Sequence, residues 1–312
     1  MLAADDAISM EDTQDDEPGA FLLVNDIPIH FSEDWDTGIG GGLWSTGLAF
    51  AQYLEHRSED VLVNLRRLAL VKKYSASSTR WHGNYEIDRN SINDDNSNER
   101  LHRHEIKEFN GISALELGSG NGFLSACLLA LVMSDENSNI PLTELAITDM
   151  KDHLPLMFKT LKANSHVWDT LTYDDGEHST TFDGTSPGNT TRPVERPMQQ
   201  SPHVILAEHI WGEFESTNIN TKTNQLHNKK YDFIFGTDLA YRNSLHVPLI
   251  SSLLHFSHQH TLCLIGVTMT DTQPIFFDRL TEVGFRYEKL ADHLLEREFR
   301  GGNFGLIAIQ RR

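Results

Sequence analysis

The chain has 312 residues, 39% of them hydrophobic, with 45 acidic against 26 basic side chains and a formal net charge of −19. That length allows one large domain or two small ones, and the modest hydrophobic fraction implies that part of it lies outside a packed core. The charge argues against a protein that holds nucleic acid by bulk electrostatics, no apolar run approaches the about 18 residues of a membrane span, and the start is acidic rather than a basic-then-apolar leader.

Residues 1–20 hold seven Asp or Glu and no Lys or Arg, an acidic tail expected to stay unfolded. Leu43–His56 reads as a helix with Trp44, Leu48 and Ala51 on one face, and Val61–Val71 as a second with Val61, Leu65 and Leu68 in register. Residues 75–110 are rich in Asn, Ser and Asp and show no apolar period, which marks an inserted surface loop. Ile112–Leu117 is then a strand, Phe123–Met133 a helix, Leu145–Thr148 a strand and Leu154–Asn164 a helix with Pro155 in its first turn. A second low-complexity insertion, rich in Thr, Pro and Gly, is expected at 169–202, and a shorter polar patch at 215–230.

The remaining blocks are strands at His203–Leu206, Tyr231–Gly236 and Thr261–Val267, with helices at Val247–Phe256, opened by Pro248, and Gln273–Val283. Phe285–Leu290 and Phe304–Ile309 close the chain as an expected antiparallel hairpin. Apolar strands alternating with helices imply an α/β fold: a doubly wound, mostly parallel sheet covered on both faces. The chain is accordingly read as the tail followed by a single domain over 21–312 carrying the two insertions.

The most informative stretch is A-L-E-L-G-S-G-N-G-F, Ala114 to Phe123. A buried strand runs into Gly118, Ser119, Gly120 and Gly122, and a helix starts directly after them. Glycines there permit a tight turn and bring backbone N–H groups toward a ligand at the carboxyl edge of the sheet. The spacing is G-x-G-x-G rather than the dinucleotide G-x-G-x-x-G, and Glu116 stands two residues ahead of it. A carboxylate so close is unfavourable for a pyrophosphate and favourable for a cation. The next strand ends on Asp149, placed to accept hydrogen bonds from ribose hydroxyls.

These residues resemble motif I and the following acidic position of class I, seven-strand S-adenosylmethionine-dependent methyltransferases. Three further segments are similar to methyltransferase family 16, largely protein-lysine methyltransferases: G-L-W-S-T-G-L-A-F-A-Q-Y-L around Trp44, Ile210-Trp211-Gly212, and G-T-D-L-A-Y from Gly236 to Tyr241. The resemblance implies a Rossmann-like sheet of seven strands and S-adenosylmethionine as cofactor. It places Trp44, Glu116, Gly118, Ser119, Gly120, Gly122, Asp149, Trp211 and Thr237 at the cofactor and gives Asp238 and Tyr241 the catalytic positions. It also implies a lysine of a protein as acceptor, with a basic partner favoured by the charge.

Another acceptor (a different side chain, a small molecule or a nucleic acid) and an inactive methyltransferase fold serving as a binding module stay open at this stage. Two long insertions, Glu208 and His209 ahead of Trp211, and V-T-M-T-D at Val267–Asp271 depart from the family pattern. Sixteen histidines, His102 and His104 among them, show no zinc-site spacing, so no metal is expected. Cys127 and Cys263 sit in apolar runs and are expected as buried thiols. A monomer in the cytoplasm, with the nucleus as the alternative compartment, completes the expectation.

Overall fold

The computed structural model describes residues 21–77, 111–134, 142–175, 178–184, 202–214, 224–301 and 303–312. The acidic tail, His102 and His104, residues 78–110 and 185–201 of the expected insertions, and 215–223 of the polar patch lie outside the described residues.

Strands β1 (Phe21–Val24) and β2 (Ile27–His30) form an antiparallel hairpin turned by Asn25 and Asp26 at φ 46° and 64°. A two-residue hairpin turn of type I′ needs left-handed φ at both positions, which Asn and Asp adopt most readily after glycine. The sequence reading has no strands here, because four-residue strands are too short to show an alternation. The hairpin leads into Phe31, whose ring packs 5.0 Å from that of Phe123.

Helices α1 (Ser45–His56) and α2 (Ser58–Ser77) follow. The expected start at Leu43 moves to Ser45, since Trp44 is extended at φ −85° and ψ 156°. Then come β3 (Ile112–Leu117), α3 (Phe123–Ser134), β4 (Leu142–Asp149) and α4 (Leu154–Ala163). Next in the chain are β5 (Thr170–Asp174), β6 (Ser179–Asp183), β7 (His203–Glu208) and the single-turn α5 (Asn224–His227). The chain ends with β8 (Tyr231–Thr237), α6 (Asn243–Phe256), β9 (Ser257–Thr268), α7 (Pro274–Glu282), β10 (Phe285–Lys289) and β11 (Phe304–Arg311).

The large sheet has the order β10-β11-β9-β8-β3-β4-β7-β5-β6. Strands β9, β8, β3, β4, β7 and β5 run parallel, while β11, β10 and β6 are antiparallel to their neighbours. Seven of the nine strands make the expected doubly wound frame with its antiparallel C-terminal pair. Strands β5 and β6 extend it, and they correct the reading of 169–202 as loop throughout. The Thr-rich composition there is strand propensity: Leu171 is fully buried, and Tyr173 and Phe182 set their rings 5.6 and 4.8 Å from that of Phe158. Helix α6 is a second correction. It begins at Asn243, so Pro248 lies inside it rather than opening it.

Two apolar layers cover the sheet. One packs α1, α2, α3 and α4 on Ala114, Leu145, Ile147, Phe233 and Phe235; the other packs α6 and α7 on Leu115, Leu117, Ala146, Ile234 and Ile265. Each fully buried Leu or Ile contributes about 1.5–3 kcal/mol of transfer free energy. Cys127 and Cys263 are free and buried, one in each layer. The two-residue period along a strand fixes which polar side chains face which layer. It puts Glu116, Asp149 and Thr237, at the carboxyl ends of β3, β4 and β8, on the side of α1 and α3. From β3 the chain winds through β4 to β7 and then returns to β8 on the other flank of β3, so the strand order reverses between β3 and β8. Sheets of this kind bind their ligands in that crevice.

Candidate active site

A cavity of about 530 Å³ opens at this reversal. Trp44, Glu116, Gly118, Ser119, Gly120 and Asp149 line it on the β3–β4 side, and Trp211, Thr237, Asp238 and Tyr241 on the β7–β8 side. Of the expected site residues, only Gly122 is off its wall. That residue faces α4, where an added Cβ would lie 3.4 Å from the Met157 backbone.

The glycine loop is shaped by what crowds it. Gly118 and Gly120 have φ of 61° and 64°, the left-handed region that costs other residues about 1–2 kcal/mol. A Cβ at Gly118 would lie 2.7 Å from Leu239 Cδ2 and 2.8 Å from Trp211 Cζ2. At Gly120 it would lie 2.7 Å from the Gly40 carbonyl oxygen, a backbone atom that has little freedom to give way.

Glu116 is 2% exposed and sits beneath the loop, where Ser119 Oγ, at 2.8 Å, and Ser125 Oγ donate to its Oε2. Burial pushes its carboxyl up to about 8, outweighing the two hydroxyl hydrogen bonds that favour the anion; the negative charge of Asp149 adds to the rise. The fold therefore favours the neutral form. Its contribution to stability is complete below the ordinary carboxyl value of 4.5 and is lost as pH rises through about 8. Glu116→Gln removes this titration. Its melting temperature relative to the parent protein should climb by several degrees between pH 5 and 9 in thermal scans. Parallel curves would contradict the buried-carboxyl assignment.

Asp149 closes β4 with both carboxylate oxygens engaged. Gly120 N donates to Oδ2 at 2.7 Å, Met150 N to Oδ1 at 2.7 Å, and His153 Nδ1 lies 2.8 Å from Oδ1. A carboxylate oxygen can accept two hydrogen bonds; Oδ1 holds two and Oδ2 one, so Oδ2 retains capacity for a ligand hydroxyl.

Across the cavity Asp238 has φ 55°. Its N–H donates to Gly266 O at 2.9 Å and its Oδ1 accepts from Thr268 Oγ1 at 3.1 Å. Burial raises its carboxyl to about 6, partly offset by the Thr268 hydrogen bond. A left-handed non-glycine residue stores on the order of 1–3 kcal/mol of strain, a feature that clusters at functional sites. Tyr241 stands one turn on, with the Arg242 guanidinium 5.3 Å from its ring centroid. Trp44, 44% exposed at the mouth, meets the Trp35 ring edge-to-face at 5.8 Å.

Four features of the wall have no site role in the sequence reading. Gly38, Gly40 and Gly42 form a strap that lies against the glycine loop; the glycine run is visible in the sequence but has no local meaning there. Asn121 accepts from Phe123 N through Oδ1 at 3.2 Å, and its buried Nδ2 has no hydrogen-bond partner. His153 is buried beside Asp149. His209, read as a departure from the family, supports the Trp211 segment: its Nε2 lies 2.9 Å from Ser252 Oγ, which accepts from Gly212 N at 3.0 Å. Burial holds the His209 imidazole down to about 3, helped by the nearby His227 and His255, so it stays neutral.

Three carboxyl groups and no Lys or Arg line this wall among the described residues. A pyrophosphate would find no cation here. A ligand with positive charge, a vicinal diol and a flat ring finds the Asp149 and Asp238 carboxyl groups, backbone N–H groups and the Trp211 side chain. These residues fit S-adenosylmethionine. The family model described as lysine methyltransferase matches residues 24–174, just under half of the chain.

Over that segment the chain is similar to the S-adenosylmethionine-dependent methyltransferases.

No curated protein matches the chain by sequence. Among solved structures it is similar to the ribosomal protein L11 methylase of Lactobacillus delbrueckii subsp. bulgaricus, at 13% identity and a TM-score of 0.37, covering 74% of this chain and 92% of that one. It is also similar to a TehB-like SAM-dependent methyltransferase of Corynebacterium glutamicum, at 12% identity and a TM-score of 0.37, covering 82% and 99%. A third is precorrin-6y C5,15-methyltransferase of Geobacter metallireducens, at 11% identity and a TM-score of 0.36, covering 68% and 86%. Likeness at these scores says nothing about the acceptor. Among the described residues, no helix is long and apolar enough to cross a membrane.

Proposed function

We propose that the protein methylates the side-chain amine of a lysine in another protein, with Asp238 and Tyr241 presenting the amine. The observation that carries this reading is the placement of Asp238 and Tyr241 on the same cavity wall as the glycine loop, at the carboxyl end of β8. The description of the matched family model supports the acceptor class.

When bound, S-adenosylmethionine supplies a methyl group on a positively charged sulfur. The chain's own residues bind and orient. Gly118, Ser119 and Gly120 offer backbone and hydroxyl groups at the start of α3, Glu116 anchors the Ser119 hydroxyl beneath them, and Asp149 accepts from the ribose. Trp211, Trp44 and Thr237 supply the apolar and hydroxyl surfaces around them, while Gly122 allows α4 to approach the loop.

A lysine nitrogen must arrive neutral to act as a nucleophile, and it gains positive charge as it reacts. The Asp238 carboxylate, anionic above about pH 6, accepts the amine's N–H bonds and stabilises that charge. The Tyr241 ring and hydroxyl form the adjacent wall, where an aromatic face favours a developing ammonium. The formal charge of −19 suits a basic protein partner, met by a monomer.

The test is incorporation of radiolabelled methyl from S-adenosylmethionine into a whole-cell protein extract, followed by acid hydrolysis. Label should elute as methyl-lysine. Label in another amino acid, or none in protein although the cofactor binds, would overturn the acceptor assignment.

A further inference from the structure

We propose that His153 is a positioning residue for the cofactor: it fixes the Asp149 carboxylate in the plane that receives a vicinal diol, and it holds the glycine strap on the loop. The inference rests on the reading of Asp149 as the ribose acceptor.

Asp149 ends β4, and the chain makes a 3-10 turn over Lys151–His153, in which His153 N donates to Met150 O at 3.0 Å. The turn swings the imidazole back under Asp149, four residues away, to 2.8 Å between Nδ1 and Oδ1. A carboxylate only accepts, so Nδ1 carries the proton. The pair is nearly dry, with His153 4% and Asp149 9% exposed, which strengthens a charge-assisted hydrogen bond.

The terminal torsion of an Asp side chain is soft, and its carboxylate rotates readily unless something pins it. Two of the three bonds to Asp149 come from backbone N–H groups, Gly120 N on one oxygen and Met150 N on the other. The imidazole is the side-chain contact that completes the set. It holds Oδ1 on the turn, leaving Oδ2 aimed along the loop. The Cε1 edge of the same ring lies against Gly40, where an added Cβ would sit 2.8 Å from Nδ1 and 3.0 Å from Nε2. Gly40 in turn sets its carbonyl on Gly120. One imidazole thus ties together the acidic strand end, the strap and the glycine loop, three segments distant in sequence.

The experiment is calorimetric binding of S-adenosylhomocysteine and of its 2′-deoxy analogue, which lacks one hydroxyl of the diol, to the full-length protein and to four variants. The parent protein should prefer the complete diol. His153→Leu should weaken S-adenosylhomocysteine roughly tenfold, the scale of one charge-assisted bond, and should lose most of the preference. His153→Asn, whose amide nitrogen sits where Nδ1 does, should restore it. His153→Gln, which fills the ring volume but carries its amide one bond too far, should not. Asp149→Asn should lose the preference altogether. A His153→Leu protein that weakens both ligands equally, or keeps the preference while Asp149→Asn loses it, overturns the role of His153. If His153→Leu fails to fold, the Asn and Gln pair decides on the same criterion. Preference retained by Asp149→Asn instead overturns the ribose assignment itself, and the proposal falls with it.

Discussion

Asp238→Asn should slow methyl transfer by about 100-fold or more while leaving S-adenosylhomocysteine affinity within about threefold of the parent. Asparagine keeps the shape, tolerates the left-handed φ of 55° better than alanine does, and still accepts from Thr268 Oγ1. What it removes is the negative charge beside the amine. The contrast should depend on pH in a fixed direction. The Asp238 carboxyl titrates at about 6, so the parent enzyme holds its advantage above that value and loses it as the carboxyl protonates below. Methyl incorporation measured at pH 5, 6, 7 and 8 on the two proteins reports both effects. Equal rates at pH 8 would remove Asp238 from the chemistry.

Gly120→Ala should abolish cofactor binding in practice, with affinity falling by roughly 100-fold or more and the melting temperature dropping by several degrees. The new methyl group meets the Gly40 carbonyl oxygen, and φ is 64°. Relief requires the strap or the loop to move, and the loop's N–H at this residue is the one donating to Asp149 Oδ2 at 2.7 Å. Gly284→Ala makes the control. Its φ is 92° but nothing lies within 4 Å of the added carbon, so it should lose stability through strain alone and leave binding intact. Calorimetry and thermal scans on the two variants separate a crowded glycine from one that is merely left-handed. Parent-like binding by Gly120→Ala would mean that the strap yields easily.

Both variants probe residues legible in the sequence, and the reason is local. From Ala114 to Phe123 a strand, a turn and a helix start follow one another, so continuous apolar character and glycine spacing report directly on the backbone. Asp149 follows the same logic, as an acidic residue ending an apolar strand, whereas Asp238 is reached through the resemblance of G-T-D-L-A-Y to a family signature. The two-residue period then implies that Glu116, Asp149 and Thr237 converge on one face. The residues that surround this frame carry no comparable signal. Gly40 matters because it touches Gly120, and His153 because it touches Asp149 and Gly40. His209 matters through Ser252, on a helix far along the chain. Such contacts are created by the fold and leave no periodicity behind. The β1–β2 hairpin was missed because its strands are too short, and β5–β6 because threonine signals both polar loops and strands. The sequence reads Pro248 as a first-turn residue, and α6 begins at Asn243, about one turn before the expected Val247.

The β5–β6 pair also changes what the sheet presents at its rim. Without it, β7 would be outermost, with Val204 and Leu206, both fully buried, along an unpaired backbone. A flat apolar margin of that kind recruits strands from other molecules. Among the described residues the outermost strand on this flank is instead β6, where Ser179, Thr180, Thr181 and Asp183 are exposed and Phe182 turns back toward Phe158. A neighbouring chain that tried to lengthen the sheet there would have to strip water from hydroxyls and a carboxylate and would cover little apolar surface in return. The two added strands thus act as a selvedge: they finish the sheet against colloidal growth at high concentration, on the flank away from the chemistry.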